Sequence, residues 1–245
     1  MPVLKQSNGR NMAGQAIGIL LLETYAIHLP GNVANATSFN FPVMYKVVPA
    51  VTSDRLVKNA DESILEPLIA SGKELVREGV RAISSGCGYF SYFQKEMASA
   101  MDVPVFMSSL LQVPLILRSL RSNQKVGIIV ADGKSVREKT LRAAGIDSSA
   151  PVVILGLNDQ PEFFSTFVGN KGWMDTDRAE QEVVGAAQQF VAANPEIGAI
   201  LLECSDIPVY AAAIQREIGL PVFDFTTLIK WIHSAVVREP FHGYI

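Results

Sequence analysis

The sequence predicts an α/β protein of two pseudo-symmetric lobes, each a parallel β-sheet flanked by helices, with the active site in the cleft between them. Three observations predict it. Short apolar strands alternate with amphipathic helices along the chain, the pattern of parallel α/β sheets. The segment around Cys87 recurs around Cys204: residues 82–106 and 199–223 share Ala82/Ala199, Ile83/Ile200, Cys87/Cys204, Pro104/Pro221, Val105/Val222 and Phe106/Phe223. Upstream, Gln15-Ala-Ile-Gly-Ile-Leu-Leu-Leu-Glu23 matches Gln124-Lys-Val-Gly-Ile-Ile-Val-Ala-Asp132, two apolar runs that each end in a carboxylate. The offset is 109 residues at the upstream match and 117 at the cysteines, so the later half carries eight extra residues between them. A period of this size marks a duplicated lobe; solenoid repeats run about 20–50 residues.

Each element follows from local pattern. Ala16–Leu22 is a continuous apolar run, as in a strand buried on both faces. Val43–Val48 reads as a strand. Pro67–Glu78 reads as a helix, with its proline near the first turn, where the missing N–H is harmless. Val80–Ser85 is a strand, and Ser91–Met101 a helix with Phe93, Met97 and Met101 on one face. Val103–Phe106 is a strand and Leu110–Leu120 a helix. In the second half, the run Gln124–Asp132 is a strand, Lys134–Ala144 a helix and Val152–Leu157 a strand. Asp175–Asn194 is a helix with Val183, Ala187, Phe190 and Val191 in its buried stripe. Ala199–Leu202 is a strand, Pro208–Ile218 a helix and Val222–Phe223 a strand. The final helix, Thr226–Val237, has Leu228, Trp231, Ile232, Ala235 and Val236 in register.

Composition narrows the class. The 245-residue chain is 49% hydrophobic and 18% charged, which suits a packed globular protein and argues against disorder. Net charge is −3 with dispersed Lys and Arg, so nucleic acid is not an expected partner. Lys5 and Arg10 precede the apolar run as in a signal peptide, but Glu23 ends the run and no small-residue cleavage site follows. No run approaches the roughly 20 residues of a membrane span. The expectation is a cytoplasmic protein without membrane contact. Two cysteines make no disulfide framework, and reduced thiols are the cytosolic default. No histidine pair has metal-ligand spacing, so no metal is expected.

The two thiols are the chemical signal. Each follows a strand and precedes a helix, at the edge where open α/β sheets bind ligands. Unpaired helix-start N–H groups there favour a thiolate or a bound carboxylate. Gly86 and Gly88 flank Cys87 and let backbone approach a ligand. A single free cysteine is as often a small buried hydrophobe. Two at equivalent points of a duplicated lobe, with no others in the chain, favour chemistry.

At these residues the chain resembles the aspartate/glutamate racemase superfamily, which includes hydantoin racemases, maleate isomerase and arylmalonate decarboxylase. Glu203-Cys-Ser-Asp-Ile-Pro208 with Gly219-Leu-Pro-Val-Phe-Asp224 is similar to the family's second cysteine motif and its following Pro-Val strand. Ser85-Gly-Cys-Gly-Tyr89 with Val103-Pro-Val-Phe106 is similar to the first. Val126–Ser135 with Lys139–Asp147 resembles the opening of the family's second lobe. The resemblance implies a cofactor-independent enzyme with no metal, in which Cys87 and Cys204 are catalytic. It implies lobe 1 at 1–106 plus 225–245 and lobe 2 at 107–224, with the chain crossing after each Pro-Val strand. A homo-oligomer is common in such proteins.

Departures from the family pattern bear on the substrate. Gly88 and Tyr89 replace the Asn-Thr that holds a substrate carboxylate, leaving backbone amides and the Tyr89 hydroxyl for that task. Asp206 stands where glutamate racemases carry histidine; it tunes Cys204, binds an amine, or is a solvated helix-start residue. Ser205 is a carboxylate donor or a helix cap. Glu203 replaces a glycine and has no role legible in sequence. Glu23 and Asp132 end equivalent strands and face the cleft or solvent. Asn35 and Thr37, in the turn-rich loop Pro30–Phe39, are further binding candidates.

The reading that follows is an isomerase: one thiolate takes the α-proton of an amino acid or related carboxyl or hydantoin compound, and the opposite thiol protonates the other face. The alternatives are a maleate-isomerase-like or arylmalonate-decarboxylase-like enzyme, or a two-lobed protein that binds a small molecule without turning it over.

Overall fold

The computed structural model describes residues 12–244; Lys5 and Arg10 lie outside them. Eight strands form two wholly parallel four-stranded sheets. The first contains β1 (Ile17–Leu21), β2 (Val43–Val47), β3 (Ala82–Ser85) and β4 (Val105–Phe106), in the order β2-β1-β3-β4. The second contains β5 (Lys125–Val130), β6 (Val152–Gly156), β7 (Ile197–Leu202) and β8 (Val222–Phe223), in the order β6-β5-β7-β8. The two orders coincide when the repeat is overlaid, so Cys87 and Cys204 follow the same strand of each sheet. The central strands are buried on both faces, which is why they read as unbroken apolar runs rather than alternating ones.

Helices α1 (Leu65–Glu78) and α2 (Gln94–Ala100) cover one face of the first sheet, through Leu68, Leu75 and Met97. Helices α5 (Pro161–Phe167), α6 (Thr176–Ala193) and α7 (Ala211–Ile218) cover one face of the second, through Phe163, Val183, Phe190 and Ile214. The remaining faces are covered by exchange. Helix α3 (Val113–Ser119) follows β4 of the first sheet, yet its Val113 and Ile116 pack on the second, beside α4 (Glu138–Ala143). Helix α8 (Phe225–Val236) follows β8 of the second sheet, and its Phe225, Leu228, Ile229 and Ile232 pack against Ile17, Ile19 and Ala82 of the first.

Four of the helices expected from sequence begin differently. Segments 88–93, 109–112 and 207–210 are 3-10 turns that lead into α2, α3 and α7. At residues 133–137 the chain makes a 3-10 turn and then extends, so α4 starts only at Glu138. There the Asp132 side chain accepts from the Lys134 N–H and the Ser135 hydroxyl, which offers the backbone a local alternative to the helix. Helix α5 and the π-helical segment Asp54–Lys58 lie outside the sequence assignment. No helix among the described residues is long and apolar enough to cross a membrane.

Both crossings meet at one point. Asp224 caps α8: its carboxylate accepts from the Thr227 N–H and the Thr226 hydroxyl, both at 2.8 Å. Its own N–H donates to the Thr227 hydroxyl at 2.9 Å, which completes a capping box. Its carbonyl accepts from Gln112 Nε2 on the other crossing segment. Asp224→Ala is expected to cost about 1–2 kcal/mol through the lost cap, read as a lower urea midpoint at unchanged slope.

Candidate active site

Parallel strands put all their carboxyl ends on one edge, and here the two edges face each other. Between them lies a cleft of 650 Å³. Cys87, Gly88 and Tyr89 line it from the first sheet, and Glu203, Cys204, Ser205 and Asp206 from the second. Glu23 and Asp132, at the ends of β1 and β5, also line it. The sheets are joined around it by direct bonds. The Tyr89 hydroxyl donates to the Asp132 carbonyl at 2.7 Å, and Ser91 Oγ donates to the Thr140 carbonyl. Ser109 Oγ donates to the Leu202 carbonyl.

The thiols are free and occupy matched settings. The Tyr89 N–H hydrogen-bonds to the Cys87 sulfur, and the Asp206 N–H to the Cys204 sulfur. Each amide is two residues ahead of its cysteine, so the repeat extends to the hydrogen bond. These amides favour the thiolate, but burial opposes them and both thiols are pushed up. The next cause after burial differs: Glu203 for Cys87, and Asp206 for Cys204. One feature breaks the symmetry. Cys204 Sγ donates to Asp206 Oδ2 at 3.4 Å, and Asn32 Nδ2 holds Asp206 Oδ1 at 2.5 Å. Cys87 has no carboxylate partner of this kind among the described residues. A thiol, a carboxylate acceptor and an amide that orients the acceptor form the sequence of roles that activates a nucleophile or base.

Burial raises the pKa of Asp206, and that of Glu203 is pushed up to about 8 by the same cause. Tyr89 is raised too, by burial and then by Glu203. Its hydroxyl is spent on the Asp132 carbonyl. Ser205 is buried and does not cap the following turn, so its hydroxyl is open to a ligand. Asp132 turns its carboxylate to its own loop and to Asn158, with hydrogen bonding holding it below the usual range against burial. Glu23 is exposed and accepts from the Ala50 N–H. Asn35 and Thr37 do not reach the cleft. Asn35 Oδ1 accepts from both the N–H and the hydroxyl of Thr37, and its amide bonds to the His28 carbonyl. From that loop Ala34 and Asn32 line the cleft, and the polar side chain that enters is Asn32, 1% exposed. It does so because Gly31, at φ +103°, lets the loop run against Val209, where a Cβ would lie 2.8 Å from the Val209 Cα. A glycine before a buried asparagine is the one sequence hint that was available. His28, Asp54, Lys58 and Phe167 complete the wall and carry no sequence signal. No group of residues fit to hold a metal ion occurs among the described residues.

No model of a protein family matches the sequence. The chain is 30% identical over 242 residues to a dimethylsulfoniopropionate lyase of Durusdinium sp. clade D, covering 95% of this chain and 79% of the relative. It is 31% identical over 238 residues to dimethylsulfoniopropionate lyase 7 of Emiliania huxleyi, covering 93% and 69%. The chain belongs to the dimethylsulfoniopropionate lyase family. The solved structures it resembles share its fold at lower identity. They include arylmalonate decarboxylase (15% identical, TM-score 0.55, 91% of this chain and 94% of that one). They include allantoin racemase from Pseudomonas fluorescens (15%, 0.57, 90% and 91%). An aspartate racemase homologue from Pyrococcus horikoshii is also similar (16%, 0.56, 90% and 99%). This lyase-family chain therefore has the aspartate/glutamate racemase fold that its cysteine motifs resemble.

Raised thiol pKa values have a direct consequence. In the empty cleft both thiols stay neutral at pH 7, and alkylation by iodoacetamide lags that of an ordinary cysteine even at pH 9, its usual pKa. Asp206→Asn removes a negative charge that raises the Cys204 pKa, so Cys204 is expected to alkylate faster at a given pH. Cys87, on which Asp206 acts least, changes less. Peptide mass spectrometry after timed labelling reads both.

Proposed function

We propose that this protein is a lyase which eliminates dimethyl sulfide from dimethylsulfoniopropionate, or from a close β-sulfonium carboxylate, with Cys204 as the base. The observation that carries this reading is the charge of the cleft wall. Five acidic side chains line it, Glu23, Asp54, Asp132, Glu203 and Asp206, the buried Glu203 and Asp206 raised toward their neutral forms, against His28 and a single lysine, Lys58. That lysine is already paired with Asp54 at 2.6 Å. Such a wall disfavours a ligand of net negative charge, such as aspartate or glutamate with two carboxylates and one ammonium, and suits a compound whose cation balances a single carboxylate. The activity in the names of the family's relatives supports the same substrate class.

The chemistry follows from the Cys204–Asp206–Asn32 series. The thiol passes its proton to Asp206, and the thiolate takes a proton from the carbon next to the substrate carboxylate. The C–H electron pair becomes the new double bond. The bond from the β-carbon to sulfur breaks, and sulfur keeps that pair and leaves as neutral dimethyl sulfide; acrylate remains. Negative charge that builds on the substrate carboxylate is met by backbone N–H groups at Gly88 and Ser205 and by the Ser205 hydroxyl. The substrate also assists. Its positive charge offsets the carboxylates that raise the thiol pKa, so the base is armed only when substrate is bound.

Racemisation is the second reading, and the matched amide-to-sulfur bonds at Cys87 and Cys204 favour it. The two are separated by symmetry of effect, since an elimination needs one base and a racemase needs two. Cys204→Ala is expected to lower dimethyl sulfide release, measured by headspace gas chromatography, by about 10²–10⁴-fold, and Cys87→Ala by less. Asp206→Asn is expected to lower turnover even as it raises Cys204 reactivity toward iodoacetamide. Absence of dimethyl sulfide, with exchange of the α-proton and growth of the opposite enantiomer for an amino acid or hydantoin in D₂O, would overturn the lyase reading. Carbon dioxide from an arylmalonate, or fumarate from maleate, would move it to those activities.

A further inference from the structure

Glu203 is the group the elimination does not use. It is 2% exposed, and neither of its carboxyl oxygens has a hydrogen-bond partner. Its backbone is fixed at both ends: the N–H donates to the Ile129 carbonyl at 2.9 Å, and the carbonyl accepts from Ser109 Oγ at 3.3 Å. Its side chain lines the cleft and lies against Gly88, beside Cys87. A Cβ on residue 88 would fall 2.1 Å from Glu203 Oε1 and 2.6 Å from the Glu203 carbonyl oxygen. The carboxyl group therefore occupies space that exists only because residue 88 has no side chain. An unpaired buried carboxyl is costly, and native proteins satisfy nearly all such groups. No lysine or arginine among the described residues bonds to it. Among the described residues nothing completes it.

We propose that Glu203 is the counter-ion for the substrate's cationic centre and makes the cleft select an alkylated onium ion over a neutral group of the same shape. An ammonium ion with N–H groups would require several aligned acceptors. An alkylated sulfonium or quaternary ammonium ion has no proton to donate and needs charge and close apolar contact. The site offers this: a carboxylate free of hydrogen bonds next to the ring of Tyr89, which itself can attract a cation. The identity of the cation as a sulfonium rests on the lyase reading; the preference for an onium ion rests on Glu203 alone.

The inference has a proton signature. Cys87 and Tyr89 face Glu203 from the first sheet, and Cys204 from its own segment. All are protonated or anionic, and none supplies a positive charge. Burial pushes Glu203 up to about 8, so in the empty cleft at pH 7 it is mostly protonated. A bound cation favours the ionised form, so binding releases a proton.

The test is calorimetric titration of the full chain with trimethylammonio-propanoate, a quaternary ammonium analogue with a poor leaving group, and with its neutral isostere, in which carbon replaces nitrogen. Wild-type protein is expected to bind the cation at least about tenfold more tightly than the isostere, and to release a proton at pH 7, seen as a buffer-dependent enthalpy. Glu203→Gln should bring the two ligands to within about twofold and abolish the release, with the isostere still bound as proof of a folded site. An unchanged preference in the variant overturns the proposal, and so does a wild-type protein that binds the cation without releasing a proton. The two readings fail separately. Cation preference without dimethyl sulfide release sinks the lyase and leaves Glu203 its role; elimination by wild type with equal preference in the variant does the reverse.

Discussion

Desolvation between two parallel sheets governs the chemistry of this molecule. Because every strand in a sheet runs the same way, the strand ends, the loops after them and the turn starts all gather on one edge. Setting two such edges face to face removes water from whatever they carry. Here they carry two thiols and two carboxyl groups, all shifted toward their neutral forms by burial. Desolvation of this kind works against charge on each of the four.

The duplication supplies two equivalent seats, but the residues placed in them have diverged. Both sulfurs retain an amide donor from two residues ahead. Around that shared feature, one thiol has acquired Asp206 and Asn32, and the other has Glu203 lying beside it from across the cleft. A symmetric scaffold thus holds an asymmetric set of charges. The fold alone does not fix the chemistry; the charges placed in its cleft set the two halves apart.

Much of the fold was legible in the sequence, because continuous apolar runs and a repeat of fixed offset are backbone-scale signals. The strands around Ile17–Leu21, Val126–Val130 and Ile197–Leu202 needed no side-chain detail, and the equivalence of Cys87 and Cys204 came from spacing alone. The aspartate/glutamate racemase fold suggested by the cysteine motifs is the one found. Less visible were the features set by tertiary contact. Asn32 lies 174 residues from its partner Asp206, and only the preceding Gly31 sets it apart locally from Asn35, whose side chain closes its own turn. Asp132 was readable as a strand-end carboxylate, but not as one turned to Ser135 and Asn158. Glu203 gave no signal, because its meaning depends on the missing side chain of Gly88 on another sheet.

The exchange of α3 and α8 between the sheets has a mechanical consequence. Among the described residues two stretches of chain pass between the halves, and Gln112 ties them together at Asp224 and Thr227. Two adjacent tethers allow one easy motion, a rotation about the line through them, and resist sliding or separation. The tyrosine, serine and asparagine bonds across the cleft lie away from that line and would part first. The molecule is built as a hinged clasp, and its pivot is a glutamine one hydrogen-bonded residue, Ser109, away from Glu203.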